Sequence, residues 1–174
     1  MDFNFTKLYD KAVQLATEKH SGQKYGDFDY THHLACVEKI VRRYWDDTNN
    51  IGKDLIVSAW LHDLIEDTKT SYEDIKNIFG KDIAELVYSV TNELGRNRQE
   101  KAKKTYPKIK KHPFAVYLKL ADRIANIEFA YKNENKELLE MYKNEKDILK
   151  KYLYVPSAAE KMWADLDSLY SKKS

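Results

Sequence analysis

The chain has 174 residues, of which 43% are hydrophobic and 33% charged, with only five glycines and three prolines. This length and composition are typical of one soluble, mainly helical domain with a substantial core. The net charge of +2 gives no general argument for nucleic-acid binding, and the lack of a membrane span or signal peptide predicts a cytoplasmic protein.

The first predicted helix covers residues 4–19, where apolar side chains recur at helical spacing. His20 follows this helix, and we expect its imidazole to have a structural role at the helix end. Residues 21–29 contain two glycines among mixed polar side chains, a pattern typical of a loop.

Two adjacent histidines, His32 and His33, open the next predicted helix. Neighbouring side chains on a helix diverge by about a hundred degrees, so only one of them can face a common site. We choose His33, because it shares an apolar stripe with Val37 and Ile40, and we expect His32 to face solvent. Cys36, the single cysteine, lies in the same apolar pattern, which predicts a buried and unreactive thiol and excludes an internal disulfide.

Residues 62–68 follow a strongly apolar predicted helix and hold four groups that can bind a metal or move a proton. On a helix, His62 lies one turn from Glu66 and Asp63 lies one turn from Asp67, so both pairs would face one hollow. Uncompensated carboxylates at a buried helix end are costly, and a divalent cation would offset that cost. Imidazole and carboxylate are common ligands of manganese, iron and zinc. The spacing therefore favours a metal site over a surface ion pair.

The segment between residues 96 and 111 has eight basic side chains and one acidic side chain. For most of these lysines we expect a solvated surface. Arg96 and Arg98 are better candidates for phosphate binding, because a guanidinium group can hold two phosphate oxygens at once. The polar composition from residue 92 onward indicates a mobile rim over the site, and His112 is expected to be exposed.

Asp122 is the single interior carboxylate of an apolar predicted helix at residues 119–126. Packing alone would not place a carboxylate there, which makes Asp122 a candidate metal ligand from a distant part of the chain. Helices predicted at about residues 136–151 and 157–170 complete an all-α protein. Their aromatic side chains are interpreted as packing groups.

The candidate ligands come from separate predicted helices: His33, the adjacent pair His62 and Asp63, and Asp122. Together they resemble the metal-binding set of the HD-domain phosphohydrolases. More narrowly, the chain resembles the hydrolase part of the RelA/SpoT family, including its small alarmone hydrolases. Within HD proteins the pair Glu66 and Asp67 is the discriminating feature. The matching stretches occur in family order at residues 20–23, 30–33, 62–68, 79–80, 90–91 and 118–126.

The resemblance implies a single all-α HD domain over residues 1–174 that binds one divalent metal ion, manganese by family resemblance. Glu66 and Asp67 would position and deprotonate a water molecule and return a proton to the leaving 3′ oxygen, with the division of roles left open. The implied metal ligands are His33, His62, Asp63 and Asp122. The groups expected to contact substrate are Lys24, Tyr30 and Asn126 at the base or ribose, and Arg96 and Arg98 at the phosphates.

The implied substrate is guanosine 3′,5′-bis(diphosphate). The sequence departs from the family pattern at Leu34, which replaces a proline, and in a loop before His33 that is one residue shorter.

The altered loop at residues 24–29, where Lys24 and Tyr25 stand in place of a more basic stretch, motivates a second hypothesis. This is another nucleotide phosphatase, acting on a nicotinamide dinucleotide phosphate or a deoxynucleotide. A third is a non-catalytic module that senses a nucleotide, although such a module has little need of Glu66 and Asp67. The expected partner is a small nucleotide, without nucleic acid or membrane; the oligomeric state stays open.

Overall fold

Helices make up nearly all the regular structure of residues 3–172, the part of the chain that this computed structural model describes. The predicted all-α class is confirmed. Residues 1, 2, 173 and 174 of the predicted domain lie outside the described part. The elements are α1 (Phe3–Lys19), β1 (Lys24–Tyr25), β2 (Phe28–Asp29), α2 (Thr31–Val41), α3 (Asn50–Leu61), α4 (Leu64–Asp67), α5 (Tyr72–Phe79), α6 (Lys81–Val90), α7 (Arg98–Lys111), α8 (Ala115–Lys132), α9 (Lys136–Asn144), α10 (Lys146–Leu153) and α11 (Glu160–Ser171).

The hydrophobic core has two clusters that meet along the central helices α2 and α3. One cluster joins α2, α3 and α8 to the C-terminal helices, with Leu55, Leu118 and Ile124 fully buried. The other joins α1 to α3, α5 and α6, with Leu61 and Ile75 at its centre. Helices α2, α3 and α8 are therefore fixed against one another, and each contributes groups to the site described below.

Polar side chains begin several of these helices. Ser71 and Asp74 form a reciprocal capping box at α5, and the side chains of Asn97 and Asn135 accept backbone N–H groups at the starts of α7 and α9. Such caps satisfy donors that the first helical turn leaves unpaired. Among residues 3–172, no helix is long and apolar enough to cross a lipid bilayer.

The loop predicted at residues 21–29 contains a short antiparallel hairpin in which Lys24 pairs with Asp29 and Tyr25 with Phe28. Gly26 turns the chain at a φ of +59°, a conformation that favours glycine. The Tyr25 ring lies 4.2 Å, centroid to centroid, from that of Phe129 on α8. This contact with a distant helix stabilises the hairpin and is invisible in the local sequence.

The segment predicted as a mobile rim is instead the regular helix α7. Thr105 and Ile109 are fully buried on its inner face, and Tyr106 is nearly so. Because lysines surround these residues in the sequence, the apolar stripe is difficult to recognise there. The prediction that His112 is exposed is also wrong, because the ring is half-buried and packs near Phe114.

Four further expectations differ from the structure. The helix predicted at residues 136–151 is divided at Glu145 into α9 and α10, and the last helix begins at Glu160 instead of residue 157. His32 does not face solvent freely but is half-buried and stacks on Phe28, with ring centroids 4.3 Å apart. Cys36 is likewise half-buried, and burial raises the pKa of its thiol, in keeping with an unreactive group.

Candidate active site

The motif of residues 62–68 spans a break between two helices, and the single continuous helix expected there is wrong. Helix α3 ends at Leu61, and Asp63, at φ −98° and ψ −3°, precedes the one-turn helix α4. His62 Nδ1 lies 2.9 Å from the carbonyl oxygen of Ala59. Because a carbonyl only accepts, Nδ1 carries the proton, and the lone pair is on Nε2. That atom is buried and makes no hydrogen bond of good geometry within residues 3–172, although it lies close to Asp63.

Side chains from three segments converge on this lone pair. His33 Nε2, from α2, lies 3.5 Å from Asp122 Oδ1, which comes from α8, and 3.6 Å from Asp63 Oδ2. His62 Nε2 lies 3.0 Å from Asp63 Oδ2. One ligand atom from each of His33, His62 and Asp122 falls within 4.8 Å of the others. An unpartnered imidazole nitrogen among carboxylate oxygens fits a transition-metal ion well.

The site favours positive charge at its centre. Burial opposes ionisation of His62, but the Asp63 carboxylate outweighs it and raises the imidazole pKa to about 9, so a proton and a metal cation would compete for the Nε2 lone pair. Burial likewise raises the pKa of Asp63, yet His62 and His33 hold it well below its usual range. Burial would also raise the pKa of Asp122, but Lys119 and the two histidines lower it below its usual value. The two carboxylates therefore remain ionised and would attract a cation.

The ligand carboxylates are held by further side chains. The Tyr30 hydroxyl donates to Asp63 Oδ2 at 2.6 Å, and burial together with Asp63 raises its pKa, so it stays a donor. Asn126 Nδ2 donates to Asp122 Oδ1 at 2.5 Å, and the Tyr25 hydroxyl donates to Asn126 Oδ1 at 2.7 Å. Tyr30 and Asn126, which were expected to contact base or ribose, are thus bonded to candidate metal ligands.

Glu66 and Asp67 stand beside this group at the mouth of the cleft. Glu66 accepts from the backbone N–H and the side-chain amide of Asn92, both at 3.1 Å. Asp67 accepts from Gln23 Nε2 at 3.0 Å, and Gln23 Oε1 is in turn 2.7 Å from His20 Nδ1. These contacts fix the direction of both carboxylates while leaving oxygens open to solvent.

The cleft has a volume of about 180 Å³, and both catalytic candidates line it together with three of the four candidate ligands. Arg98 also lines it. Arg96 and Lys24 are not brought to its walls: the Arg96 side chain is 90% exposed and pairs with Glu100, and Lys24 pairs with Asp29 of the hairpin.

Several cleft residues were not predicted from the sequence, namely Tyr25, Lys119, Arg123 and Tyr142. Arg123 carried a signal that could have been used, because an arginine directly after Asp122 in an apolar helix has no local partner. Tyr142, on α9, gave no such signal, since its place in the cleft depends on how the C-terminal helices pack on α8.

A family model described as HD domain matches residues 12–151 of the chain. A protein from Danio rerio named guanosine-3′,5′-bis(diphosphate) 3′-pyrophosphohydrolase MESH1 is 30% identical, over 73% of this chain and 71% of that protein. The Drosophila melanogaster protein of the same name is 31% identical, over 67% of this chain and 66% of its own.

A longer relative from Aquifex aeolicus, named guanosine-3′,5′-bis(diphosphate) 3′-pyrophosphohydrolase, is 32% identical over 87% of this chain. The chain spans only 25% of that protein. A solved structure of a metazoan ortholog of SpoT, described as hydrolyzing ppGpp, superposes with a TM-score of 0.77 over 94% of this chain and 93% of that one. At 24% identity, this likeness concerns the fold.

Proposed function

This chain belongs to the HD domain family, and from that membership we propose that it is a metal-dependent pyrophosphohydrolase acting on guanosine 3′,5′-bis(diphosphate). The resemblance inferred from the sequence motifs is confirmed. The observation that carries the proposal is the convergence of two imidazoles and two carboxylates beside Glu66 and Asp67. Relatives at least 30% identical that bear the name of this activity support the choice of substrate.

The family implies a divalent metal ion. We propose that His33, His62, Asp63 and Asp122 hold it, and that it is manganese, which these nitrogen and oxygen donors suit. Bound there, the ion supplies Lewis acidity toward a phosphoryl oxygen and makes a water molecule more acidic.

Glu66 and Asp67 are proposed to carry the proton transfers. A carboxylate at the cleft mouth can take a proton from the attacking water, and a protonated carboxyl can return it to the departing 3′ oxygen. Asn92 and Gln23 orient the two groups, because each donates to one carboxylate. The products would be guanosine 5′-diphosphate and pyrophosphate.

Tyr30 and Asn126 are proposed as positioning residues. Their hydrogen bonds to Asp63 and Asp122 would fix the orientation of these two carboxylates. Arg98 is the proposed phosphate contact among the basic side chains of α7. Roles for Arg96 and Lys24 in substrate binding stay predictions.

The test of the proposed function is product analysis by chromatography. Metal-loaded protein is incubated with guanosine 3′,5′-bis(diphosphate) or with competing nucleotides, including a nicotinamide dinucleotide phosphate and a deoxynucleotide, each with and without manganese. We expect metal-dependent release of pyrophosphate from the guanosine compound. Cleavage of another nucleotide in its place would identify a different phosphatase, and binding without turnover would indicate a sensor.

Substitution of the two cleft carboxylates separates catalysis from metal binding. Glu66→Gln and Asp67→Asn should retain the metal and the fold, while turnover falls by about 10²- to 10⁴-fold, the usual contribution of a general acid or base. Turnover and metal content are measured on the same preparations. Glu73→Gln, an exposed acid on α5 that pairs with Lys76, is the control and should behave as wild type. Full activity in both cleft variants would refute the assigned roles.

A further inference from the structure

Arg123 is a buried cation that its surroundings only partly satisfy. Its side chain is 4% exposed, and Nη2 donates to Glu145 at 2.7 Å. Nη1 is buried and makes no hydrogen bond of good geometry within residues 3–172, although Arg123 is near the Tyr170 hydroxyl, whose pKa burial raises and the guanidinium lowers. The guanidinium lies over the ring of Tyr142, 4.5 Å from its centroid. A buried charged donor without an acceptor is costly, so an arrangement of this kind points to a ligand that supplies the acceptor.

Glu145 bridges this arginine and Arg98. Arg98 Nε and Nη2 lie 2.5 and 3.1 Å from the two carboxylate oxygens of Glu145, which makes a bidentate pair. Burial would raise the pKa of Glu145, but the two guanidinium groups outweigh it and lower the pKa. One carboxylate thus faces two guanidinium cations, and the pair of arginines keeps an excess positive charge.

These groups line a cavity of about 130 Å³ beside the metal cleft. The side chains that line both spaces are Glu66, Asn92, Arg98, Lys119 and Arg123. Lys119 is nearly buried and donates to Asp122 Oδ2 at 2.8 Å. A molecule that reacts next to Glu66 can therefore extend one end into a pocket whose wall carries four cations, the three named above and Lys101.

We propose that Arg98, Lys119 and Arg123 form a subsite for the departing diphosphate. In this proposal Glu145 is a resident carboxylate: it pairs with the two arginines in the free protein, and the diphosphate displaces it. The identity of the ligand rests on the proposed function, in which pyrophosphate leaves from the 3′ oxygen. The bidentate contact of Glu145 with Arg98 is the geometry in which guanidinium holds two phosphate oxygens.

A purely structural role for Glu145 predicts different behaviour. A buried ion pair that only fastens the turn between α9 and α10 to α7 and α8 would lose stability on neutralisation, with no change in anion affinity. A resident carboxylate, in contrast, repels an incoming anion, and its neutralisation should strengthen anion binding.

The deciding experiment is calorimetric titration of metal-loaded protein with inorganic pyrophosphate. Glu145→Gln should bind pyrophosphate about tenfold more tightly than wild type, since one close negative charge is removed. Arg98→Gln should bind it about tenfold more weakly, since a charged hydrogen-bond donor is lost. Thermal unfolding and metal content are recorded for each variant.

The matched controls come from a second bidentate pair, Arg43 with Glu128, whose distances of 2.5 and 2.8 Å resemble those of Arg98 with Glu145. Arg43 follows the C-terminal end of α2 and Glu128 lies on α8, and neither residue lines the cavity. Arg43→Gln and Glu128→Gln should leave pyrophosphate affinity unchanged. Should Glu145→Gln fail to fold, Arg98→Gln decides alone, because the Arg98 side chain is 58% exposed and tolerates substitution.

The outcomes separate this subsite from the proposed function. If Glu145→Gln or Arg98→Gln binds pyrophosphate with the same affinity as wild type, the subsite is overturned. This holds even if the protein hydrolyses guanosine 3′,5′-bis(diphosphate). The expected pattern of affinities without hydrolysis of that nucleotide supports the subsite and overturns the substrate assignment.

Discussion

Asp54, on α3 outside the cleft, is a carboxyl group that no cation among residues 3–172 compensates. Its surroundings differ from those of Asp63 and Asp122, which are kept ionised by histidines and Lys119. Burial and the nearby Asp82 raise the pKa of Asp54 to about 6. The ionised form is therefore unfavourable in the folded protein.

Replacement of Asp54 by asparagine should stabilise the protein above pH 6. The folded state binds the Asp54 proton more tightly than the unfolded chain, whose aspartate pKa is about 3.9, so ionisation destabilises the fold fully above pH 6 and not at all below about pH 4. Because the group is half-exposed, solvent screening reduces the expected gain at pH 8 to about 1 kcal/mol.

Urea unfolding of wild type and Asp54→Asn at pH 4, 6 and 8 measures this gain. The difference between the two proteins should shrink steadily as pH falls. A constant difference over the whole range would show that the carboxyl group titrates normally.

The residues of the site differ in how far sequence could predict them. His62, Asp63, Glu66 and Asp67 lie within one short stretch, so spacing alone grouped them, and the structure places them around one cleft. Their chemical roles stay predictions. Tyr142 and Glu145 reach the same region through packing of α9 and α10, which no local pattern encodes.

At the scale of the elements, Gly52 shows why α3 can lie where it does. A Cβ atom built on this residue would be 1.7 Å from the backbone carbonyl oxygen of Asp46 and 3.0 Å from its carbonyl carbon. The segment before the helix thus crosses directly over its first turn, and backbone atoms cannot move aside as a flexible side chain would.

Gly52→Ala should therefore destabilise the protein by about 3 kcal/mol or more, as overpacking against a rigid neighbour does. Helix propensity alone predicts the opposite sign, a gain of about 1 kcal/mol. The free energy of unfolding in urea distinguishes the two. A variant as stable as wild type would mean that α3 does not approach Asp46 so closely.

The elements that sequence failed to predict share one cause. The hairpin at residues 24–29 is held by Phe129, and α7 is held by an inner stripe that includes Ile109. Both depend on contacts with distant helices. By contrast, α1 was predicted well at residues 4–19 and the central part of α8 at residues 119–126, because their apolar periodicity is strong enough to be recognised locally.

At the scale of the whole molecule, the candidate ligands connect three separate parts of the chain. His33 belongs to α2, His62 and Asp63 lie between α3 and α4, and Asp122 belongs to α8. An ion bound by all of them would add a link between segments that core packing and polar contacts such as Tyr30 with Asp63 already join. Its binding free energy therefore adds to the stability of the folded state.

Removal of the metal with a chelator should lower the midpoint of thermal unfolding by roughly 5–10 °C, given an ion present at about a hundred times its dissociation constant. Asp122→Ala should lose most of the metal and show almost no chelator-dependent shift. Asp10→Ala, an exposed position on α1, should keep the full shift. Thermal scans with elemental analysis measure both effects, and an unchanged metal content in Asp122→Ala would refute the ligand assignment.

The all-α architecture and the order of the motifs could be predicted because the helices are long and their apolar stripes regular. Organisation as one domain over residues 1–174 stays a prediction. The way in which α9 and α10 close over α7 and α8 was not predictable, since it is decided by buried ion pairs such as Arg123 with Glu145.

The position of Glu145 late in the sequence has a consequence for synthesis. During translation, all four candidate metal ligands leave the ribosome before Tyr142 and Glu145 do, and nascent chains fold from the N-terminal side. A product that stops before residue 142 would keep the ligands but lack the carboxylate that covers Arg98 and Arg123. Such a fragment would expose two unneutralised arginines, and cellular polyanions would bind it nonspecifically.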